Sequence, residues 1–88
     1  MTVQVSVSAT PNENALKFSV NKKVIESGYK TFNNLEEATG NPLAAKLFEN
    51  DGLESVFLMP DFITVTKKPE INWDHLQGKI VKDIQAVL

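Results

Sequence analysis

Two apolar segments, residues 53–59 and 62–67, constrain this sequence more than any other feature. Both are rich in β-branched and aromatic residues, and only Pro60-Asp61 separates them. Proline presets the dihedral φ that suits the second position of a β-turn, and such segments favour strands. The sequence therefore predicts a hairpin at the centre of a sheet. Gly52, just before it, is predicted to end the preceding helix in the left-handed conformation.

A second hairpin is predicted near the N-terminus. Residues 2–9 and 15–20 each alternate apolar with polar side chains, as strands with one buried face do. Residues 10–14, Thr-Pro-Asn-Glu-Asn, are dense in turn formers. Residues 21–35 are less regular and predict a loop with one or two short strand pieces.

The helices are predicted from capping residues and apolar spacing. Asn34 and Glu37 resemble a capping box, which predicts a helical turn at residues 35–39. Asn41-Pro42 favours the start of a helix of about nine residues that ends at Gly52. Asn72 is expected to cap the last helix, in which Gly78 is interpreted as a point of close packing against the sheet. The apolar stripe of that helix consists of Trp73, Leu76, Ile80, Ile84 and Val87.

The order of elements predicts an α+β fold. Hairpin, helix, hairpin and helix (ββαββα) give a two-layer sandwich with a four-stranded, mainly antiparallel sheet and two helices on one face. At 88 residues, we expect a single domain, residues 1–88.

The other face of that sheet is expected to be open. If Ile63 and Val65 face the helices, Phe62 lies on the open side beside two threonines. The strand at residues 53–59 is apolar on both faces, so either Val56 and Leu58 or Phe57 and Met59 also lie there. Such a patch is a candidate partner surface. Alternatively, residues 23–35, which carry Val24, Ile25, Tyr29 and Phe32, fold back and cover it, and we favour this second reading.

Composition excludes several functions. The net charge is -2, and the chain contains neither arginine nor cysteine. We therefore expect no nucleic-acid binding and no direct thiolate ligation of a metal or cluster. No apolar run is long enough to span a membrane and no signal peptide is apparent, so we expect a cytoplasmic protein without membrane contact.

No catalytic constellation is recognisable. His75 is the only histidine, and it lies off the apolar stripe of the last helix, where we expect it to be exposed. The carboxylates of residues 36–37, 49–54 and 61 are explained by solvated helix ends and by a turn in which Asp61 bonds nearby backbone amides. The protein is predicted not to be an enzyme.

Three runs of residues carry a family resemblance. They are TPNENALKF at residues 10–18, PLAAKLF at 42–48, and DGLESVF with DFITVTK within 51–67, followed by Trp73 and Leu76. With these runs, nearly the whole chain resembles the N-terminal domain of Nfu/NifU-like iron–sulfur cluster scaffold proteins. The family's second domain, whose Cys-x-x-Cys motif holds the cluster, matches nothing here. The resemblance is therefore to the N-terminal domain as a stand-alone unit.

The resemblance implies a non-catalytic accessory module for iron–sulfur cluster assembly or transfer. Its partner is expected to be a scaffold or client protein, and no cofactor is expected to bind directly, although clusters held by a partner can associate indirectly. The alternative is a peptide- or protein-binding regulatory domain unrelated to clusters, using the open sheet face or an edge strand. The predicted partner-binding residues are Thr10, Pro11, Asn12, Asn14, Lys17, Asp61 and Phe62.

Overall fold

The computed structural model describes residues 3–88, which form five strands and three helices. The strands are β1 (Val5–Ala9), β2 (Ala15–Val20), β3 (Lys30–Phe32), β4 (Leu53–Met59) and β5 (Phe62–Lys67). The helices are α1 (Leu35–Ala38), α2 (Pro42–Leu47) and α3 (Trp73–Val87). Both predicted hairpins are present. Thr2, the first residue of the predicted N-terminal strand, lies outside the described residues.

The sheet is antiparallel throughout, in the order β1-β2-β5-β4-β3. The prediction of four strands was wrong by one, because β3 pairs with β4 and places Phe32 opposite Val56. Without β3, the edge of β4 that faces away from β5 would have unpaired backbone donors and acceptors. A short segment within residues 21–35, which the sequence predicted as a loop with short strand pieces, pairs with them. Proline and aspartate form the two-residue turn between β4 and β5, as predicted.

All three helices pack on one face of the sheet, which confirms the two-layer α+β architecture. Val56, Leu58, Ile63 and Val65 are fully buried towards the helices. They share one hydrophobic core with the following helix residues: Ala38, Leu43, Ala44, Leu47, Leu76, Ile80 and Ile84. The helices number three instead of two because the predicted turn at residues 35–39 forms the short helix α1.

The predicted capping box at α1 is present in a shifted form. The Asn34 side chain accepts a hydrogen bond of 2.8 Å from the backbone N–H of Glu37. In a standard capping box, the Glu37 carboxylate would accept from the backbone N–H of the N-cap residue, Asn34. Here it accepts from the backbone N–H of Asn33, one residue earlier, at 2.8 Å. Two N–H groups near the helix start are satisfied in this way.

Helix α2 is shorter than predicted. Asn41 caps it, and its Oδ1 accepts from the backbone N–H of Ala44 at 3.0 Å. At its end the backbone N–H of Asn50 donates to the carbonyl of Leu47 three residues back, and the Asn50 side chain donates to the same oxygen. These tight bonds end the helix at Leu47. Gly52, at φ +94°, therefore opens strand β4 and does not close the helix.

Helix α3 follows the predicted stripe at its centre but not at its ends. Leu76, Ile80 and Ile84 are buried, whereas Trp73 is half-buried and Val87 is exposed. Gly78 is also exposed, and a Cβ added there would meet nothing within 4 Å. The interpretation of Gly78 as a point of close packing was wrong.

Candidate functional site

The face of the sheet opposite the helices is open, and strand register determines which residues it carries. Directly opposed residues in an antiparallel pair lie on the same face. One row crosses all five strands, and a second crosses four. In strand order the rows are Ser8, Lys17, Thr64, Phe57 and Thr31, then Ser6, Ser19, Phe62 and Met59. We call this surface the open face.

Three aromatic rings contact one another on the open face. Phe57 and Phe62 have ring centroids 6.4 Å apart, and Tyr29 lies against Phe57 at 5.7 Å. The Lys17 ammonium lies 4.4 Å from the centroid of Phe62, within the range of a cation–π contact. We call Tyr29, Phe57 and Phe62 the aromatic patch.

The expectation that residues 23–35 cover this patch was mostly wrong. Val24, Ile25 and Phe32 pack into the core on the helix side. Of the four large apolar residues in this segment, Tyr29 alone reaches the open face, and 68% of its surface remains exposed. Because Phe32 lies opposite Val56, which faces the helices, the register of β3 turns Phe32 away from the open face and leaves only Thr31 of this strand on it. The patch therefore lacks a cover within residues 3–88.

The predicted residues of the β1–β2 loop form a local hydrogen-bond network at one end of the sheet. The Thr10 hydroxyl donates to the carbonyls of Asn12 and Ala15, and its oxygen accepts from the backbone N–H of Asn12 at 3.1 Å. The Asn12 side chain accepts from the backbone N–H of Asn14 at 2.9 Å. Pro11 lies exposed in the same loop. These contacts fix the shape of the loop, as Asx-turns and hydroxyl turns do.

A buried lysine that the sequence analysis did not single out anchors this loop. Only 6% of the surface of Lys67 is exposed, and its ammonium donates to Asn14 Oδ1 at 2.9 Å. It also lies 5.7 Å from the Trp73 ring centroid, and the Trp73 indole N–H donates to the carbonyl of Glu13 at 3.2 Å. Lys67 continues the alternation of Ile63 and Val65, and this pattern of period two was the signal that could have found it.

An open cleft of about 560 Å³ lies beside this anchor. It is lined by Glu13, Asn14, Lys67, Trp73 and Asp74, with residues 69–72. Its carboxylates and its single buried ammonium give it no uniform charge. The contacts of Lys67 and Trp73 hold the loop against the start of α3, which is a structural role.

The predicted partner-binding residues do not form one site. Residues 10–14 lie near the end of β5, whereas Asp61 lies in the turn before its start. Asp61 is exposed, and its backbone carbonyl, not its side chain, accepts from the N–H of Val20 at 3.0 Å. On the open face, Lys17 and Phe62 are the two predicted residues that meet, and the structure adds Tyr29 and Phe57 to them. The period-two pattern had already left Phe57 as one of two alternatives.

Two further observations on residues 3–88 concern metal binding and the helices. His75 is exposed on α3, as expected, and no three histidine, aspartate or glutamate side chains of these residues converge to hold a metal ion. None of the helices α1 to α3 is both long and apolar enough to cross a membrane.

These features define a small α+β domain with one face of its sheet free for contacts. The family model described as "Scaffold protein Nfu/NifU N terminal" matches residues 5–88. The chain therefore belongs to the Nfu/NifU N-terminal family, which confirms the resemblance seen in its motifs.

Curated relatives and solved structures agree with this assignment. The chain is 42% identical over 81 residues to the human NFU1 iron-sulfur cluster scaffold homolog, mitochondrial, covering 91% of this chain and 32% of the relative. It is 39% identical over 79 residues to NifU-like protein 4, mitochondrial, of Arabidopsis thaliana, covering 90% of this chain and 28% of the relative. The chain thus spans less than a third of the length of these two proteins.

Two solved structures share the fold. The solution structure of a NifU-like protein from Saccharomyces cerevisiae superposes with a TM-score of 0.82 at 27% identity, covering 97% of this chain and 77% of that one. The crystal structure of protein SAV1430 from Staphylococcus aureus gives a TM-score of 0.81 at 24% identity, covering 96% and 99%. The second likeness concerns the fold alone.

Proposed function

We propose that this chain is a non-catalytic docking module that assists iron–sulfur cluster assembly or transfer through protein–protein contacts. The observation that carries the proposal is the aromatic patch on the open face, which is covered neither by the helices nor by Val24, Ile25 and Phe32. Family membership supplies the process, since the human relative is named an iron-sulfur cluster scaffold homolog.

The chemistry of the chain supports docking over ligation. Iron–sulfur clusters are held mainly by cysteine thiolates, and this chain contains no cysteine. In our proposal the partner, a cluster scaffold or a client protein, holds the cluster, and this domain contacts the partner's polypeptide. A cytoplasmic location stays a prediction, and the names of the human and Arabidopsis relatives include the word mitochondrial.

Two aromatic side chains are the natural targets for a test. Phe57 and Phe62 are half-buried and lie outside the hydrophobic core. Their removal should therefore weaken docking while the fold survives. Leu35, an exposed apolar residue of α1 on the helix side, is the matched control, because 48% of its surface is exposed.

The experiment is an anaerobic capture with a purified candidate partner. Phe57→Ala/Phe62→Ala, Leu35→Ala and the unchanged protein are immobilised, and each is offered a cluster-loaded scaffold and an apo iron–sulfur protein from the same organism. We expect at least one partner to bind the unchanged protein and Leu35→Ala but not the double variant. Equal retention by all three, or by none, would contradict docking through the open face.

A second candidate function has its own observation. Strand β1 pairs with β2 alone, and its residues Val5–Ala9 include no lysine or proline, which are common protections of edge strands. A regulatory domain unrelated to clusters could add a partner strand there. Slower hydrogen exchange of β1 backbone amides in the complex, with no change at Phe57 and Phe62, would favour this candidate over the first.

A further inference from the structure

The open face differs in charge from the chain as a whole. The chain has eleven acidic residues against nine basic ones, yet no register position of the open face carries an acid. Glu54, the one acidic residue within a strand, lies in the irregular step between Leu53 and Ser55 and has no register partner. Asp61 lies in the turn beyond the face. The register positions of the open face therefore carry no carboxylate although the chain as a whole is acidic, and Glu54 is exposed beside Ser55 at the border of these positions.

Lys17 is the one charged side chain among the register positions of this face. The ion pairs found within residues 3–88 join Lys23 to Glu26 and Lys46 to Glu49, so Lys17 has no carboxylate partner there. Its ammonium lies over the Phe62 ring, and Ser19 and Thr64 occupy neighbouring register positions of the same face. An ammonium with free donors is suited to a carboxylate.

The aromatic patch supplies the apolar half of a binding surface. Tyr29, Phe57 and Phe62, like Met59 beside them, are absent from the hydrophobic core and from the residues that pack against it. Aromatic side chains grouped in this way commonly serve as anchors at protein interfaces. Tyr29 lies directly before β3, and its largely exposed ring forms the outer edge of the patch.

We infer that the open face binds an acidic polypeptide segment of a partner protein, with an apolar side chain against the aromatic patch and a neighbouring carboxylate on Lys17. This inference deepens the proposed function and rests on it for the choice of surface. The charge of the face favours a protein over a nucleic acid, because one lysine and no arginine cannot neutralise a run of phosphates.

The test uses two capped hexapeptides as probes in nuclear magnetic resonance titrations. One is Glu-Asp-Phe-Leu-Asp-Glu, and the other has lysine at its four charged positions. We expect the acidic peptide to shift the backbone amides of Lys17, Phe57 and Phe62, and the basic peptide to leave them unchanged. Lys17→Gln should weaken acidic-peptide binding roughly threefold to tenfold. Added salt should weaken binding to the unchanged protein more than to Lys17→Gln.

Lys82→Gln is the matched control, because it removes the same charge from an exposed position of α3 on the helix side. It should leave peptide affinity unchanged. Equal binding of both peptides, amide shifts confined to the helices, or an equal loss in both lysine variants would overturn the inference. The inference would also be overturned if a single-stranded oligonucleotide bound the open face more tightly than the acidic peptide, since its bases could stack on the same aromatic rings.

The two proposals fail separately. If Phe57→Ala/Phe62→Ala loses a cluster scaffold but the acidic peptide does not bind, the open face docks partners by other chemistry and only the inference falls. If the acidic peptide binds as described and no iron–sulfur protein is retained, the face has the proposed specificity and the proposed function falls.

Discussion

Asn50 and Asp83 form a buried hydrogen bond of 2.8 Å between the turn after α2 and the middle of α3. Each residue is only 6% exposed. The Asn50 amide nitrogen donates to the Asp83 carboxylate and also to the carbonyl of Leu47, which fixes the orientation of the amide. Asn50 Oδ1 is left buried without a partner. The bond ties together the two longer helices that cover the sheet.

Asn50→Ala should destabilise the protein by about 1 to 3 kcal/mol, because it leaves a buried carboxylate without its donor. Asp83→Ala should cost less, since the Asn50 amide keeps its bond to Leu47, and Asp83→Asn should cost least because it retains an acceptor. Urea unfolding followed by the fluorescence of the single tryptophan, Trp73, gives these values. The double alanine variant should cost less than the sum of the single ones. Strict additivity would contradict a direct interaction.

Asn14→Ala should also destabilise the protein by about 1 to 3 kcal/mol, because it removes the main acceptor of the buried Lys67 ammonium. In a Lys67→Met background, which keeps the length of the side chain but not its charge, the same substitution should cost much less. Glu13→Ala is the control, since the Trp73 indole bonds the backbone carbonyl of Glu13 and not its side chain. The same unfolding measurement applies, and an equal cost of Asn14→Ala in both backgrounds would count against the contact.

Gly52→Ala should be strongly destabilising. At φ +94° an L-residue is strained, and the new Cβ would lie 2.5 Å from Ile71 Cγ1. We expect a loss of about 1 to 3 kcal/mol. Gly28→Ala, at φ +70° with nothing within 4 Å, carries the backbone strain without the collision and should cost less. The difference between their urea midpoints measures the steric part, and equal midpoints would show that Ile71 moves aside freely.

Gly78→Ala should stabilise the protein by about 0.5 to 1 kcal/mol, because Gly78 lies inside α3 with open space around its Cα. Thermal unfolding followed by circular dichroism should show a higher Tm. A lower Tm would contradict the open space around Gly78.

Phe18→Ala and Phe62→Ala should separate stability from docking. Phe18 is fully buried on the helix side of β2, and its truncation should cost about 3 to 5 kcal/mol. Phe62 lies half-buried on the open face, so its truncation should cost distinctly less in urea unfolding. If both cost the same, the aromatic patch would be part of the core and a poor candidate for a binding surface.

Much of the fold was predictable because local sequence signals for strands, turns and helix caps agree with the elements that form. The β-branched and aromatic composition of residues 53–59 and 62–67 around Pro60-Asp61 predicted the central hairpin, and Asn41 and Asn72 cap their helices as expected. Strand β3 was missed as a member of the sheet because its three residues carry too little pattern. Strand β3 forms because its backbone hydrogen-bonds to the free edge of β4. Pairing between distant segments of this kind is not encoded in local composition.

The site was predictable only in part. From the sequence, Phe62 was placed on the open face and Phe57 was left as one of two alternatives, but a cover by residues 23–35 was favoured that does not form. That outcome depends on the register of Phe32 opposite Val56, since a shift of one residue would have reversed the faces. The motif residues Thr10, Asn12 and Asn14 stood out in sequence, yet their contacts here shape a loop.

The strand order also has a consequence for the speed of folding. Each hairpin is local, but the β2–β5 ladder that joins them places Lys17 opposite Thr64, across roughly half of the chain. Closing so long a loop costs conformational entropy before the ladder contributes its hydrogen bonds, so we expect the joining of the two hairpins to be the slow step of folding. Until then β2 and β5 both present unpaired edges, through which two unfinished chains can pair with each other. A freshly made molecule is therefore most prone to aggregation at the seam that later becomes the middle of its sheet.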